Sequence, residues 1–503
     1  MDLSYKQAKE AFVSGYSGTT FLEVSALILA ACTGYLLRNL TLLTLPFVRE
    51  AKTTWKSFSW AFELVIVILP SILVFTVLAD HVLFFLSLML PLAAGLILAA
   101  VCSHHLLSQL QSRFAQALQC SYPRRIPFLS AQRTFLTLLT VVAILAVDFP
   151  AFPRRLAKVE TYGVGLMDVG VGLFVYAHGV TSLEARGGGS SVLKVRLNLA
   201  AYLALVGKTA RGVFPLLVLG LLRLLVVKGS GYQEHISEYG LHWNFFFSIA
   251  SVRLLSSVLQ PLVAMLPSRC PYGLLATTLL LAYQGVLSWG GGEEYLIYGP
   301  HGDGSRPTLF SANREGILSS LGYLSLYLFS VEIGRWFFGQ RNTLRSLAMH
   351  LTQLSLADVV LWTATSLAHS HVHPVSRRFA NGPFVLWMLS LSTLMSVFFI
   401  LGDLIVFLLA FLLGTPPSSL TPLYQDEARD GGKHQPMLCV VSAINSNQMA
   451  IFLLANVLTG AVNFSMNTLE ASSLTCVAVL CVYMTSLCAA AGFLYQLNLK
   501  IKL

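Results

Sequence analysis

Charge is scarce in this chain of 503 residues. Asp, Glu, Lys and Arg make up 11% of it, less than half the roughly 25% of an ordinary soluble domain. With 55% hydrophobic residues, that scarcity excludes a soluble multidomain enzyme, a disordered protein and a nucleic-acid-binding protein. Paired cysteines are lacking as well. The eight, at 32, 102, 120, 270, 439, 476, 481 and 488, show no CxxC spacing and lie mostly within apolar runs, so neither a disulfide framework nor a metal site is expected. The GxSxG nucleophile elbow, the Walker phosphate loop and the zinc-protease motif are absent, and with them the chemistries they mark. Residues 1–20 are polar throughout. They do not read as a cleavable signal peptide, and the first long apolar run is expected to target the chain by itself.

What is present is apolar sequence in runs of spanning length, about 20 residues each. Thirteen occur, near 21–46, 59–79, 82–102, 132–148, 162–183, 199–227, 243–266, 272–289, 316–338, 346–368, 382–413, 438–462 and 474–496. In lipid the backbone must satisfy itself, which leaves helices as the solution for such runs. The expectation is an all-α polytopic membrane protein, about thirteen transmembrane helices in one bundle. It forms one domain, 1–503, with the Pro- and Ser-rich segment 414–437 as a flexible cytoplasmic loop. An odd count puts the termini on opposite sides. With the N-terminus lumenal, about 17 Lys and Arg fall in cytoplasmic segments and about 10 in lumenal ones. That bias favours a lumenal N-terminus and a cytoplasmic C-terminus. The sequons at Asn39 and Asn463 lie against expected helices, where glycosylation is not expected.

Four segments on the expected lumenal side concentrate polar and aromatic residues. The first, DFPAFPRRLAKVETYGVGLMD, runs from Asp148 to Asp168. Pro150 and Pro153 break the chain, which makes an ordered turn. If the segment after Pro153 is helical, Arg154 and Lys158 share a face, and with Arg155 they form a cation cluster able to hold phosphate. Asp148, at a low-dielectric boundary, is a candidate general base; the bland alternative is a helix-end cap beside headgroup-anchoring arginines. Glu160, Tyr162 and Asp168 complete the stretch. The second segment, 228–247, carries Glu234, His235, Glu238 and His242 ahead of Trp243 and Phe245–Phe247. Its acid–His spacing matches no dedicated metal signature; an aromatic belt with a substrate-facing His is the better reading. The third, 298–316, ends in Asn313, Arg314 and Glu315 at a helix start, where free N–H groups suit an anionic headgroup. The fourth, HSHVHPVSRR at 369–378, reads as a loop, since alternating His point to opposite sides of an extended chain. Glu23, Glu63 and Asp358 stand inside apolar helices, as packing groups or cavity liners.

The strings AVDFPAFPRRLAKVETYGVGLMDVGVG (146–172), KGSGYQEHISEYGLHWNFFF (228–247) and NREGILSSLGY (313–323) resemble the inositol acyltransferases of glycosylphosphatidylinositol-anchor biosynthesis, the phosphatidylinositol-glycan class W family. The resemblance extends over essentially the whole chain and looks like that of a mammalian member. It implies an endoplasmic-reticulum enzyme with a site towards the lumen. Such an enzyme transfers a fatty acyl group, usually palmitoyl, from acyl-CoA to the inositol 2-hydroxyl of glucosaminyl-phosphatidylinositol. The family's acid–base pair falls on Asp148 and Lys158. No permanently bound cofactor and no nucleic acid is implied; acyl-CoA is the co-substrate, and membrane lipid surrounds the site.

The residue chemistry is compatible with this. Attack of a hydroxyl on a thioester needs a base and groups that stabilise the oxyanion. Asp148 suits the first role and Lys158 the second. Arg154 and Arg155 suit a phosphate. Glu160, Tyr162, Asp168, His242, Trp243, Asn313, Arg314 and Glu315 are candidate substrate contacts, and Phe149, Phe152, Phe245 and Phe246 candidate walls of an acyl groove. The alternative from the residues alone is a lipid or solute transporter with Asp148 and Lys158 as a charged gate. Transporters of that type show paired broken helices in both halves, whereas the Pro-broken charged segment occurs once here.

Overall fold

The computed structural model describes the chain except for residues 1–10, 13, 46–47, 49, 51–55, 104–109, 123–125, 187–198, 231–235, 267–269, 340–342, 416–438 and 502–503. Among the described residues the regular structure is helical; two isolated β-bridges, Gly18–Val164 and Ser121–Thr343, are its only extended pairings. The segment 414–437 lies outside the described residues apart from Gly414 and Thr415. None of the eight cysteines forms a disulfide.

Among the described residues, nine helices are long and apolar enough to cross a membrane: Phe21–Thr44, Ala79–Cys102, Pro127–Ala146, Leu166–Arg186, Leu199–Val226, Arg314–Phe337, Gly382–Leu412, Gln448–Ser465 and Ser473–Gln496. The other four of the thirteen expected runs are helical too, but interrupted or more polar. The second is broken by a π-helical stretch, Leu64–Ile68, between Lys56–Glu63 and Leu69–Phe75. The seventh divides at Leu259 into Phe245–Val258 and Gln260–Met265, with Pro261 opening the second piece. Pro271–Trp289 and Leu344–His371 are continuous helices that carry more polar side chains. The chain is thus an all-α polytopic membrane protein with nine helices of clear spanning character among the described residues.

The chain forms two compact units. The first comprises Met1–Thr19, Ala157–Gln340 and Asp358–Ser392; the second comprises Thr20–Leu156, Arg341–Ala357 and Thr393–Leu503.

In the first unit, Arg314–Phe337 packs against Val169–Val180, Pro271–Trp289 and Phe245–Val258. The contact with Val169–Val180 is close because glycines lie in it. A Cβ on Gly334 would lie 2.4 Å from the Val180 carbonyl oxygen, and one on Gly179 2.7 Å from that of Tyr327. Small residues permit such backbone approach between helices in lipid, where packing replaces the hydrophobic drive. Leu199–Ser230 packs on Phe245–Val258 and leaves Leu203, Phe214, Leu221, Leu222 and Leu225 exposed, a surface suited to acyl chains.

In the second unit, Phe21–Thr44 begins at Thr20, whose hydroxyl accepts from the Glu23 N–H at 3.2 Å, a regular N-cap. It packs on Val82–Ser103 and Leu69–Phe75. Arg38, within Phe21–Thr44, meets Glu63, the last residue of Lys56–Glu63. The guanidinium donates to the carboxylate at 2.8–2.9 Å, and both side chains are almost wholly buried. An ion pair at this depth is tolerated because each charge has its partner. The π-helical turn starts on the residue after Glu63. Pro127–Ala146 packs on the C-terminal helices, and Tyr483 donates its hydroxyl to the Val141 carbonyl at 3.0 Å.

Candidate active site

The boundary between the units falls between Leu156 and Ala157, inside the segment that the sequence marks most strongly. Asp148, Phe149, Phe152, Arg154 and Arg155 belong to the second unit. Lys158 and the remaining candidates belong to the first.

In the second unit, Asp148 stands two residues beyond the end of Pro127–Ala146. A carboxylate there faces the negative end of the helix dipole and needs donors. Asn463 supplies one, its Nδ2 donating to Oδ2 of Asp148 at 2.7 Å. Asn463 is buried and so is Asn39, which agrees with sequons that carry no glycan. The positive partner for the helix end is Arg154. Its guanidinium donates to the carbonyls of Val147, Phe149 and Phe152 at 2.7–3.0 Å and lies over the Phe152 ring.

The helical face expected here does not form. After Pro153 the chain makes one 3-10 turn, Arg154–Leu156, and then extends, so the shared helical face of Arg154 and Lys158 is never built. Arg154 serves carbonyls, and Arg155 pairs with Glu23 at 2.7 Å and Asp80 at 2.5 Å. Glu23 above all, then Asp80, holds the Arg155 guanidinium above its usual range. Phe149 and Phe152 have no exposed surface and act as core beneath the turn, not as the wall of an open groove.

In the first unit, four polar segments gather at one end of the helices. Ser376 donates its hydroxyl to the Thr161 carbonyl at 2.6 Å, and the Gly163 N–H donates to the Val375 carbonyl at 2.9 Å. The Leu241 N–H donates to the Ala312 carbonyl, and that of His242 to Oδ1 of Asn313, at 2.9 and 2.8 Å. Trp243 donates its indole N–H to Ser248 at 3.0 Å. Glu234 and His235 lie outside the described residues.

A charge chain runs through this end. Lys158 Nζ lies 2.6 Å from Glu238, which Arg377 also approaches at 3.4 Å; Arg377 pairs with Asp168 at 2.8 Å. Asp168 is fully buried, and its second oxygen accepts from the Val159 N–H at 3.2 Å. Burial pulls the Arg377 guanidinium down, but Glu238 and Asp168 together hold it above the usual arginine range. Burial pushes the neighbouring Tyr239 phenol up to about 12. Alternating signs let four charges share a low-dielectric site. Lys158 is the exposed member of the chain, its side chain 40% accessible, so the buried members position it.

Beside it, Glu315 is fully buried and gathers arginines: Arg306 at 2.5 Å, Arg378 at 3.1 Å and Arg314 at 3.8 Å. Arg314 was expected to meet an anionic headgroup. The structure instead buries it, with its guanidinium donating to the carbonyls of Leu296, Ile297, Ser305 and Ser311. Asp168, Arg314 and Glu315 thus shape the site from behind and present no surface to a substrate. Tyr162 donates its hydroxyl to Glu293, which His373 also meets at 2.7 Å. Glu160 is exposed and accepts from the Gly15 N–H at 3.2 Å. Phe245 packs edge-on to Phe174 at 5.7 Å while Phe246 is buried; of the four groove candidates, only Phe245 keeps open surface. A cleft of about 450 Å³ lies among Gly291, Glu294, Tyr295, Tyr298, Gly299 and Gly302.

Glu238, Glu293, His373, Arg377, Arg378 and Asn463 are not among the catalytic, substrate-contact or groove candidates drawn from the sequence. Glu238 stood in a marked segment, and Asn463 carried only a sequon. Arg377 and Arg378 ended a stretch that read as a loop.

A family model described as GWT1 matches residues 5–494. The human protein named glucosaminyl-phosphatidylinositol-acyltransferase PIGW is 32% identical over 510 residues, 98% of each chain. Mouse PIGW is 33% identical over 517 residues, 99% of each chain. The Aspergillus fumigatus protein named GPI-anchored wall transfer protein 1 is 35% identical over 530 residues, 100% of this chain and 99% of its own. Identity to the mammalian proteins is no higher than to the fungal one, so a mammalian origin gains no support. Nothing in these names supports a transporter. By a match over nearly all its length, the chain belongs to the GWT1 family.

Proposed function

We infer that the chain is a membrane O-acyltransferase that acts on glucosaminyl-phosphatidylinositol in the synthesis of glycosylphosphatidylinositol anchors. The observation that carries this is end-to-end similarity to relatives named for that activity. Lys158, held at one end of its unit by buried charges of alternating sign, supports it.

The acceptor is the inositol 2-hydroxyl and the donor an acyl-CoA, with palmitoyl-CoA the expected form. The hydroxyl oxygen attacks the thioester carbon, the carbon–sulfur bond breaks, and the hydroxyl proton passes to Asp148 and on to the departing thiolate. Lys158 stabilises the charge that develops on the carbonyl oxygen. No covalent acyl-enzyme is needed. The protein resides in the endoplasmic reticulum membrane, N-terminus lumenal and C-terminus cytoplasmic, with the site towards the lumen.

The test is purified chain in detergent, supplied with palmitoyl-CoA and glucosaminyl-phosphatidylinositol. Free coenzyme A and a lipid heavier by one acyl group, carried on the inositol ring, are expected in equal amounts. A folded chain that releases no thiol with both substrates present refutes the activity.

A further inference from the structure

We propose that Arg378, backed by Arg306, is the phosphate-binding position of the first unit. The proposal rests on the acyltransferase reading for the identity of its ligand, not for the existence of the site.

Arg306, Arg314 and Arg378 surround one carboxylate, Glu315, so the cluster carries two positive charges in excess. Glu293 is taken by His373 and Tyr162. The excess is not in open water: the side chains of Arg306, Arg314 and Arg378 are 17%, 1% and 12% exposed. Uncompensated charge in a partly desolvated site is costly unless an anion completes it.

The three guanidiniums differ in what they have left to give. Arg314 is spent on backbone carbonyls. Arg306 donates to the carbonyls of Ser311 and Ala312 and to both oxygens of Glu315. Arg378 makes one hydrogen bond, from Nη2 to Glu315 at 3.1 Å, and its buried Nε has no partner among the described residues. A guanidinium has five donors in a planar fork matched to phosphate oxygens. Arg378 therefore has most of its fork to offer. The start of Arg314–Phe337 adds the positive end of a helix dipole at the same place.

The position suits the reaction. Arg377, the preceding residue, belongs to the charge chain that ends on Lys158. A phosphate on Arg378 is thus fixed to the same short segment that fixes Lys158. Both proposed substrates carry phosphate, the lipid as a phosphodiester next to the acceptor hydroxyl and coenzyme A on its nucleotide end.

Two measurements on the full chain test this. In acylation kinetics, Arg378→Gln should raise KM about tenfold or more, the value of a charge-assisted contact of roughly 1.5–3 kcal/mol. A rise for the lipid assigns the site to the phosphodiester; a rise for palmitoyl-CoA assigns it to coenzyme A. Unchanged KM for both overturns the proposal. The second measurement needs no turnover. Millimolar myo-inositol 1-phosphate or coenzyme A should raise the Tm of the wild-type chain, because a ligand bound only by the folded state stabilises it. Arg378→Gln should abolish that rise. No rise with either probe, or an equal rise in Arg378→Gln, overturns the proposal. A wild-type chain that is stabilised by a probe but transfers no acyl group keeps the phosphate site and refutes the acyltransferase reading.

Discussion

Asp168 and Glu238 are acids held in place by one arginine. If Arg377 is replaced by Gln, Asp168 stays buried with only the Val159 N–H as a donor from the contacts described above. Removing one partner of a buried pair costs about 3–5 kcal/mol, so Arg377→Gln should lower the Tm of the chain clearly. Arg377→Gln combined with Asp168→Asn should recover part of that loss, because no lone buried charge remains. An unchanged Tm in the single variant would show that Arg377 is not the counter-charge of this end. Arg154 makes a different case. Its donors close a helix end, so Arg154→Ala should lower Tm and kcat together, on the order of 1–3 kcal/mol for carbonyls left unserved. A rise in the KM for one substrate at unchanged Tm would return Arg154 to the phosphate role that its sequence context suggests.

Helices and turns show why some of this was legible and some was not. The segment from Asp148 to Asp168 stands out in the sequence because prolines, cations and glycines cluster in it, and the fold does place its residues at the ends of helices. Its internal geometry is not legible. The step from Arg154 to Lys158 fits a helical face, but a 3-10 turn of three residues replaces the helix and sends each cation to its own partner. Arg377 was invisible for another reason. Its acid is 209 residues away, and no local period marks a contact of that range. The helix at 59–79 breaks at Glu63, where a buried ion pair with Arg38 interrupts an apolar run that composition alone reads as continuous. That pair gives a prediction for the element. Glu63→Gln should destabilise the chain by about 3–5 kcal/mol, and Arg38→Met with Glu63→Met should be far milder. Urea or thermal unfolding of both variants in the same detergent measures it. Equal losses in the two would mean that the helix break, not the lone charge, sets the cost.

Across the whole molecule, composition was sufficient for the class of protein and for its solvent. Among the described residues nine of the thirteen expected runs have clear spanning character and four are short, broken or polar, and that difference bears on topology. With the N-terminus lumenal and the C-terminus cytoplasmic, a tag at residue 503 should be digested in sealed microsomes and a tag at residue 1 protected. Both tags on one side would contradict an odd number of crossings. The account rests most heavily on acyl transfer with Asp148 as the proton acceptor. Its most direct test is the kcat of Asp148→Asn, relative to wild type, for acylation of glucosaminyl-phosphatidylinositol by the purified chain. Asn keeps the shape of the side chain and removes the base. A loss of about 10²–10⁴-fold is expected, the usual share of general base catalysis, at a Tm close to that of wild type. Near-normal turnover by a folded Asp148→Asn chain would contradict it.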